Sequence, residues 1–180
     1  ISTIIIPKSV TRIGEDAFAS TYALDSIAVN TENAHYTSLA GVLFNKELTL
    51  LICHPASKPG NSYTVPTTVK ELATGAFQDC GGGNAYKHIS NKTLKKKVKL
   101  NKVILPEGLT KIGKWAFTFS GCQVNIPSTV KEIGDSWFFF SEIESVTIPE
   151  GVKRLGDGMF TACYTLENIT LPSTLEYIGA

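Results

Sequence analysis

A proline, an apolar residue three positions later, another at six, usually a glycine at seven and a phenylalanine at eleven: this phrase returns six times within 180 residues. The prolines are Pro7, Pro66, Pro106, Pro127, Pro149 and Pro172. Val10, Val69, Leu109, Val130, Val152 and Leu175 follow at the third position, and Ile13, Leu72, Ile112, Ile133, Leu155 and Ile178 at the sixth. Gly14, Gly113, Gly134, Gly156 and Gly179 hold the seventh, with Ala73 as the exception. Phe18, Phe77, Phe117, Phe138 and Phe160 complete the phrase. The last four prolines are 21, 22 and 23 residues apart, the period of a solenoid in which each turn is one short supersecondary unit. Such a unit cannot bury its apolar face alone, so the core must form between neighbouring turns.

Each copy spells out its own local structure. Apolar residues alternate before each proline, as in Ile4 and Ile6, Val103 and Leu105, or Val146 and Ile148, which predicts a short strand with one face inward. The proline ends the strand because it has no N–H for the ladder. The glycine is expected at a corner that needs positive φ, and Ala-Phe opens a return leg whose five phenylalanines should stack in one column. Residues 24–62 form a variant turn. Leu24 to Val29 supplies its strand, Asn30 stands in the proline slot, and Gly41–Phe44 with Leu48–Cys53 reads as a hairpin carried outside the array. Residues 81–99 open with three glycines and read as an inserted loop.

A chain 43% hydrophobic and 18% charged, with mean hydropathy +0.06, is that of an ordered protein. No apolar run reaches the 18 or so residues of a membrane helix. The opening residues, Ile-Ser-Thr-Ile-Ile-Ile, fit the repeat as its strand, and the last copy stops before its phenylalanine. Polar capping units are missing at both ends, so residues 1–180 are expected to be a single repeat array cut from a longer protein. The net charge of +1 hides an asymmetry, because six lysines and no carboxylate lie between Gly81 and Lys99. Setting them aside leaves 11 basic against 16 acidic side chains, a net of −5. Cys80 and Cys163 share the slot three residues after the phenylalanine, where other copies place Thr21, Ser120 and Ser141. That repetition favours buried packing thiols over disulfides.

Catalytic chemistry has little to stand on. His35, His54 and His88 lie in connections and an insert without ligand spacing, so neither a metal site nor a cofactor is expected. The adjacency of Cys53 and His54 makes no nucleophile pair, because neighbours in a strand point to opposite faces. Three surfaces remain as binding candidates. The outward strand positions, Thr147 and Thr170 among them, make an almost uncharged hydroxyl and amide face suited to carbohydrate or peptide groups, although such residues also suit strands for their own sake. Trp115, Phe119, Trp137, Phe139 and Phe140 crowd two return legs, either as exposed binding anchors or as filling for an enlarged corner. Lys92, Lys95, Lys96 and Lys97 form either a solvated loop or a patch that captures polyanions. No aromatic platform is interleaved with these lysines, which argues against nucleic acid.

The phrase L-x-x-I-x-I-P-x-x-V-x-x-I-G-x-x-A-F-x-x-C, seen in Ile1 to Thr21, Tyr63 to Cys80 and Ile143 to Cys163, resembles the BspA-type leucine-rich repeat family. The resemblance implies a right-handed β/α superhelix with a parallel sheet on one face and short irregular or 3-10 segments on the other. Members are mostly large surface or secreted proteins of host-associated bacteria, some of them implicated in adhesion. The implied role is therefore a non-enzymatic cell-surface or secreted module that binds a protein or glycan partner. The alternative is a structural spacer that carries other domains.

Overall fold

A computed structural model describes residues 1–82 and 100–180. The lysine-rich segment with Lys92, Lys95, Lys96 and Lys97 lies outside the described residues. The first two turns hold β1 (Thr3–Ile6), β2 (Ser26–Val29), β3 (Tyr36–Leu39), β4 (Val42–Asn45) and β5 (Leu50–Cys53). Two turns follow with β6 (Ser62–Thr64), β7 (Glu71–Leu72), β8 (Lys102–Ile104) and β9 (Lys111–Ile112). The last three carry β10 (Gln123–Asn125), β11 (Glu132–Ile133), β12 (Ser145–Thr147), β13 (Arg154–Leu155), β14 (Asn168–Thr170) and β15 (Tyr177–Ile178).

The chain winds as a β-solenoid with three walls. Parallel pairs β1–β2, β6–β8–β10 and β12–β14 make the first wall. In register, Val103 lies against Tyr63 and Val124 and points inward, while Lys102 and Ile104 on either side face out. After each strand the N–H three residues past the proline returns to the proline carbonyl, as in Leu109 to Pro106 at 3.1 Å, closing a turn. The second wall is the parallel row β5–β7–β9–β11, with β13–β15 beyond it. The third wall is the return leg, which forms no strand. Its N–H groups cross to the next leg instead: Phe77 to Ala116 at 2.8 Å, Phe117 to Trp137 at 3.0 Å and Phe138 to Met159 at 3.1 Å. Among the described residues the one helical element is the short 3-10 turn Cys80–Gly82.

The seventh-position glycines are there for a different reason than positive φ. Gly14, Gly113, Gly134, Gly156 and Gly179 all have ordinary negative φ. What they supply is room. A Cβ on Gly113 would sit 2.6 Å from the Ala73 carbonyl carbon and one on Gly134 2.5 Å from the Lys114 nitrogen, because each turn lies directly on the backbone of the turn before. Gly14, in the first turn, has nothing within 4 Å of that position.

The variant turn divides the interior. Ile6, Leu24, Ile27 and Leu43 form a small core, and the remaining turns share a larger one. The hairpin expected outside the array is the partition between them: Val42 and Phe44 of β4 face the larger core and Leu43 faces the smaller, all fully buried. The alternation of strand side chains lets one strand serve two cores. The phenylalanine column runs through the larger core, with ring centroids 5.0 Å apart from Phe77 to Phe117, 6.1 Å to Phe138 and 6.2 Å to Phe160. Phe18 packs against the small core instead. His54 extends the column in the variant turn, stacked 5.3 Å from Phe77, and its backbone N–H donates to the Ala76 carbonyl at 2.8 Å.

Candidate binding surface

The return legs decide which side chains reach the surface. Each has two residues in the left-handed region, nine and thirteen positions after the proline. At the first stand Asp16, Gly75, Trp115, Ser136 and Gly158, and at the second Ser20, Asp79, Phe119, Phe140 and Ala162. The φ values lie near +55°, with Trp115 at 54°, Phe119 at 55° and Phe140 at 53°. Left-handed backbone costs an ordinary residue roughly 1–2 kcal/mol and suits glycine or small polar residues, which occupy most of these slots. Three bulky aromatics in the middle of the array therefore oppose the local preference.

Two of the three meet. Phe119, Phe139 and Phe140 form one half-buried cluster, with centroids 5.9 Å apart between Phe119 and Phe139, 5.6 Å between Phe119 and Phe140, and 4.8 Å between Phe139 and Phe140. Tyr164 stands edge-on to Phe140 at 6.1 Å and is 79% exposed. The backbone under the patch is held by Phe119 N–H to Phe139 and Phe140 N–H to Thr161, both at 2.9 Å. Tyr164 was not among the sequence candidates. It fills the slot four residues after the phenylalanine that Tyr22 fills in the first turn, and this shared slot is the signal that could have found it.

Trp115 and Trp137 part from the cluster. Trp115 is 40% exposed at the other end of its leg. Trp137 is no surface anchor: it is fully buried, 4.4 Å from the Phe138 ring and edge-on to Phe117 at 5.6 Å. The slot next to the phenylalanine is buried in the third to sixth turns, at Ala76, Ala116, Trp137 and Met159, whereas Ala17 in the first turn is exposed. The Trp137 Nε1–H has no hydrogen-bond partner among the described residues.

Thr147 and Thr170 face each other in register on the first wall, both exposed, so they lie on a different wall from the aromatics. The row beside them is hydroxyl and amide, with Ile5 (71% exposed) and Ile104 (42%) adding apolar points.

His54, Cys80 and Cys122 are buried, while His35 is exposed and His88 lies outside the described residues. His54 Nδ1 lies 3.5 Å from the buried Cys80 Sγ. Burial, aided by the Lys58 charge, pushes the imidazole down to about 3, and burial raises the Cys80 thiol. A neutral imidazole beside a neutral thiol is the opposite of the thiolate pair that nucleophilic chemistry needs. Cys53, Cys80, Cys122 and Cys163 are all free thiols, and the described residues hold no group of three His, Cys, Asp or Glu placed to bind a metal.

The BspA type leucine rich repeat region matches this chain in six copies, over residues 1–50 and 87–180. The chain belongs to that family. Among solved structures, this BspA-type chain is similar to a leucine-rich repeat protein from Eubacterium ventriosum, at 26% identity and TM-score 0.71 over 97% of this chain and 50% of that one. A leucine rich cell surface protein from Faecalibacterium prausnitzii matches at 24% identity and TM-score 0.76, over 95% and 48%. The pneumococcal vaccine antigen PcpA matches at 24% and 0.69, over 99% and 44%. The chain thus spans about half the length of these structures. No curated protein matches it. No helix among the described residues is long and apolar enough to cross a membrane.

Proposed function

We propose that this BspA-type array is a non-enzymatic binding module, displayed on a cell surface or secreted, that holds a protein or glycan partner on the outer side of its fourth to sixth turns. The observation that carries this reading is the aromatic patch. Phe119 and Phe140 occupy backbone slots where small residues would be more stable, and they join Phe139 and the exposed Tyr164 in one surface. Aromatic side chains offer large contact area at small entropic cost and dominate binding surfaces. The names of similar structures, one a cell surface protein and one a vaccine antigen, support the placement outside the cell.

Presenting the chain to arrays of host matrix proteins and glycans tests the reading. The expected result is a ligand whose affinity falls at least about tenfold in a Phe140→Ser, Tyr164→Ser variant that keeps its circular dichroism spectrum. Binding that is unchanged in that variant overturns the assignment to this patch. An array with no ligand at all favours the spacer.

A further inference from the structure

The variant turn leaves an opening in the third wall. In every regular pair of legs three alternate N–H groups cross to the next leg. Those of Gly75, Phe77 and Asp79 donate to the carbonyls of Lys114, Ala116 and Thr118 at 2.9, 2.8 and 3.0 Å. The same rungs join Trp115, Phe117 and Phe119 to Asp135, Trp137 and Phe139. The matching donors of the first leg are Asp16, Phe18 and Ser20, and the variant turn has no Ala-Phe leg to receive them.

Side chains close the two ends of this gap. The Ser20 N–H reaches across to the Asp79 carboxylate at 3.2 Å, and the Ile13 N–H donates to the Tyr36 hydroxyl at 3.0 Å. Between the two clamps, the N–H groups of Asp16 and Phe18 have no acceptor among the described residues. Against them lies a cavity of about 540 Å³, bounded by the first and third legs, Tyr36 and the outer row of the second wall. That volume falls within the range of ligand clefts. Its charged lining is Glu15, Asp16 and Glu71 against Lys111, which stands 3.9 Å from Glu71.

We propose that this cavity is a docking slot for an extended peptide with basic side chains, whose carbonyls accept from Asp16 and Phe18. The ligand would do what the next leg does elsewhere in the array: offer two carbonyls, two residues apart, to two waiting N–H groups. This is strand addition to an open backbone edge. The carboxylate excess selects lysine or arginine on the incoming segment. Sugar hydroxyls have no such fixed spacing and draw nothing from the charge. The slot belongs to the first three turns and stands independently of the aromatic patch.

The test titrates the isotope-labelled full chain with a library of blocked hexapeptides carrying lysine at alternate positions, followed by NMR. A member should bind with Kd of about 1 mM or tighter. It should shift the Asp16 and Phe18 amides and slow their exchange with solvent about tenfold or more. A Glu15→Gln, Glu71→Gln variant with an otherwise unchanged spectrum should bind about tenfold more weakly. The Phe140→Ser, Tyr164→Ser variant should bind the peptide as the parent does, which separates this slot from the patch. No member binding by about 1 mM overturns the proposal. So do peptide shifts confined to the first-wall strands, and so does a chito-oligosaccharide that moves the Asp16 and Phe18 amides where no peptide does.

Discussion

The five regular turns and the first two solve the same problem with different means. From β6 onward, backbone rungs join successive return legs, and 24 buried side chains among the described residues share one interior, closed at its near end by Val42, Phe44 and Leu51 of β4 and β5. In the first two turns the leg is tied to its surroundings by a tyrosine hydroxyl and an aspartate, and the core has four buried members. A solenoid draws its stability from the interface between neighbours. Where one turn lacks a leg, side chains replace main chain as the tie, and the interior separates along β4.

The most severe challenge to this comparison is truncation of one buried residue on each side. Phe117→Ala, in the middle of the ring column, should cost about 3–5 kcal/mol in urea unfolding. Leu43→Ala should cost about 2–5 kcal/mol, and in native-state hydrogen exchange it should open β1 and β2, on its own side of the partition, while the turns from β6 onward stay protected. If both halves open together in the Leu43 variant, β4 is not a partition.

A smaller effect comes from one slot occupied twice. Gly113→Ala forces a methyl onto the Ala73 and Thr74 backbone and should cost about 1–3 kcal/mol. Gly14→Ala meets open space and should be neutral or stabilise by about 0.4–1 kcal/mol. Equal melting temperatures for the two variants would show that stacking does not explain the glycine.

The clamp at Asp79 should respond to acid. Burial raises its carboxyl from 3.8 to about 6, although the Ser20 N–H pulls the other way. A raised carboxyl contributes stability that is complete below 3.8 and is lost as pH rises through about 6. Going from about pH 7 to pH 5, the parent should gain stability relative to Asp79→Asn, which keeps an acceptor for Ser20 but does not titrate. Urea midpoints that move in parallel for the two proteins would remove Asp79 from the account. The least change is expected from Trp115→Asn, since asparagine tolerates left-handed backbone and the indole is partly exposed: within about 0.5 kcal/mol.

Much of this was legible in the residues, because proline, period-two alternation and the phenylalanine phrase each have a local cause. The first wall, the turn after each proline and four of the five column phenylalanines lie where those causes put them. What was harder to read depends on neighbours distant in sequence. Val42, Leu43 and Phe44 are consecutive and all apolar, a pattern that hides a strand buried on both faces. The alanines at 17, 76 and 116 suggested a slot too small for Trp137, while Met159 in the same slot already showed that it takes volume. His54 carries no phenylalanine signature, yet it stacks on Phe77 as one. The candidate surface was half visible: the aromatic excess stands out in the sequence, but only the left-handed positions show which rings turn outward together.

The partition strand also bears on how the molecule would answer a pull along its axis. Force on a stack of turns is carried in series, so the weakest interface yields first. Here that interface is the one with four buried side chains and two side-chain clamps. Under tension β1 and β2, which pack on the Leu43 side of β4, should peel away and lengthen the chain while the ring column beyond Phe77 still holds, which makes the seam at β4 a mechanical fuse.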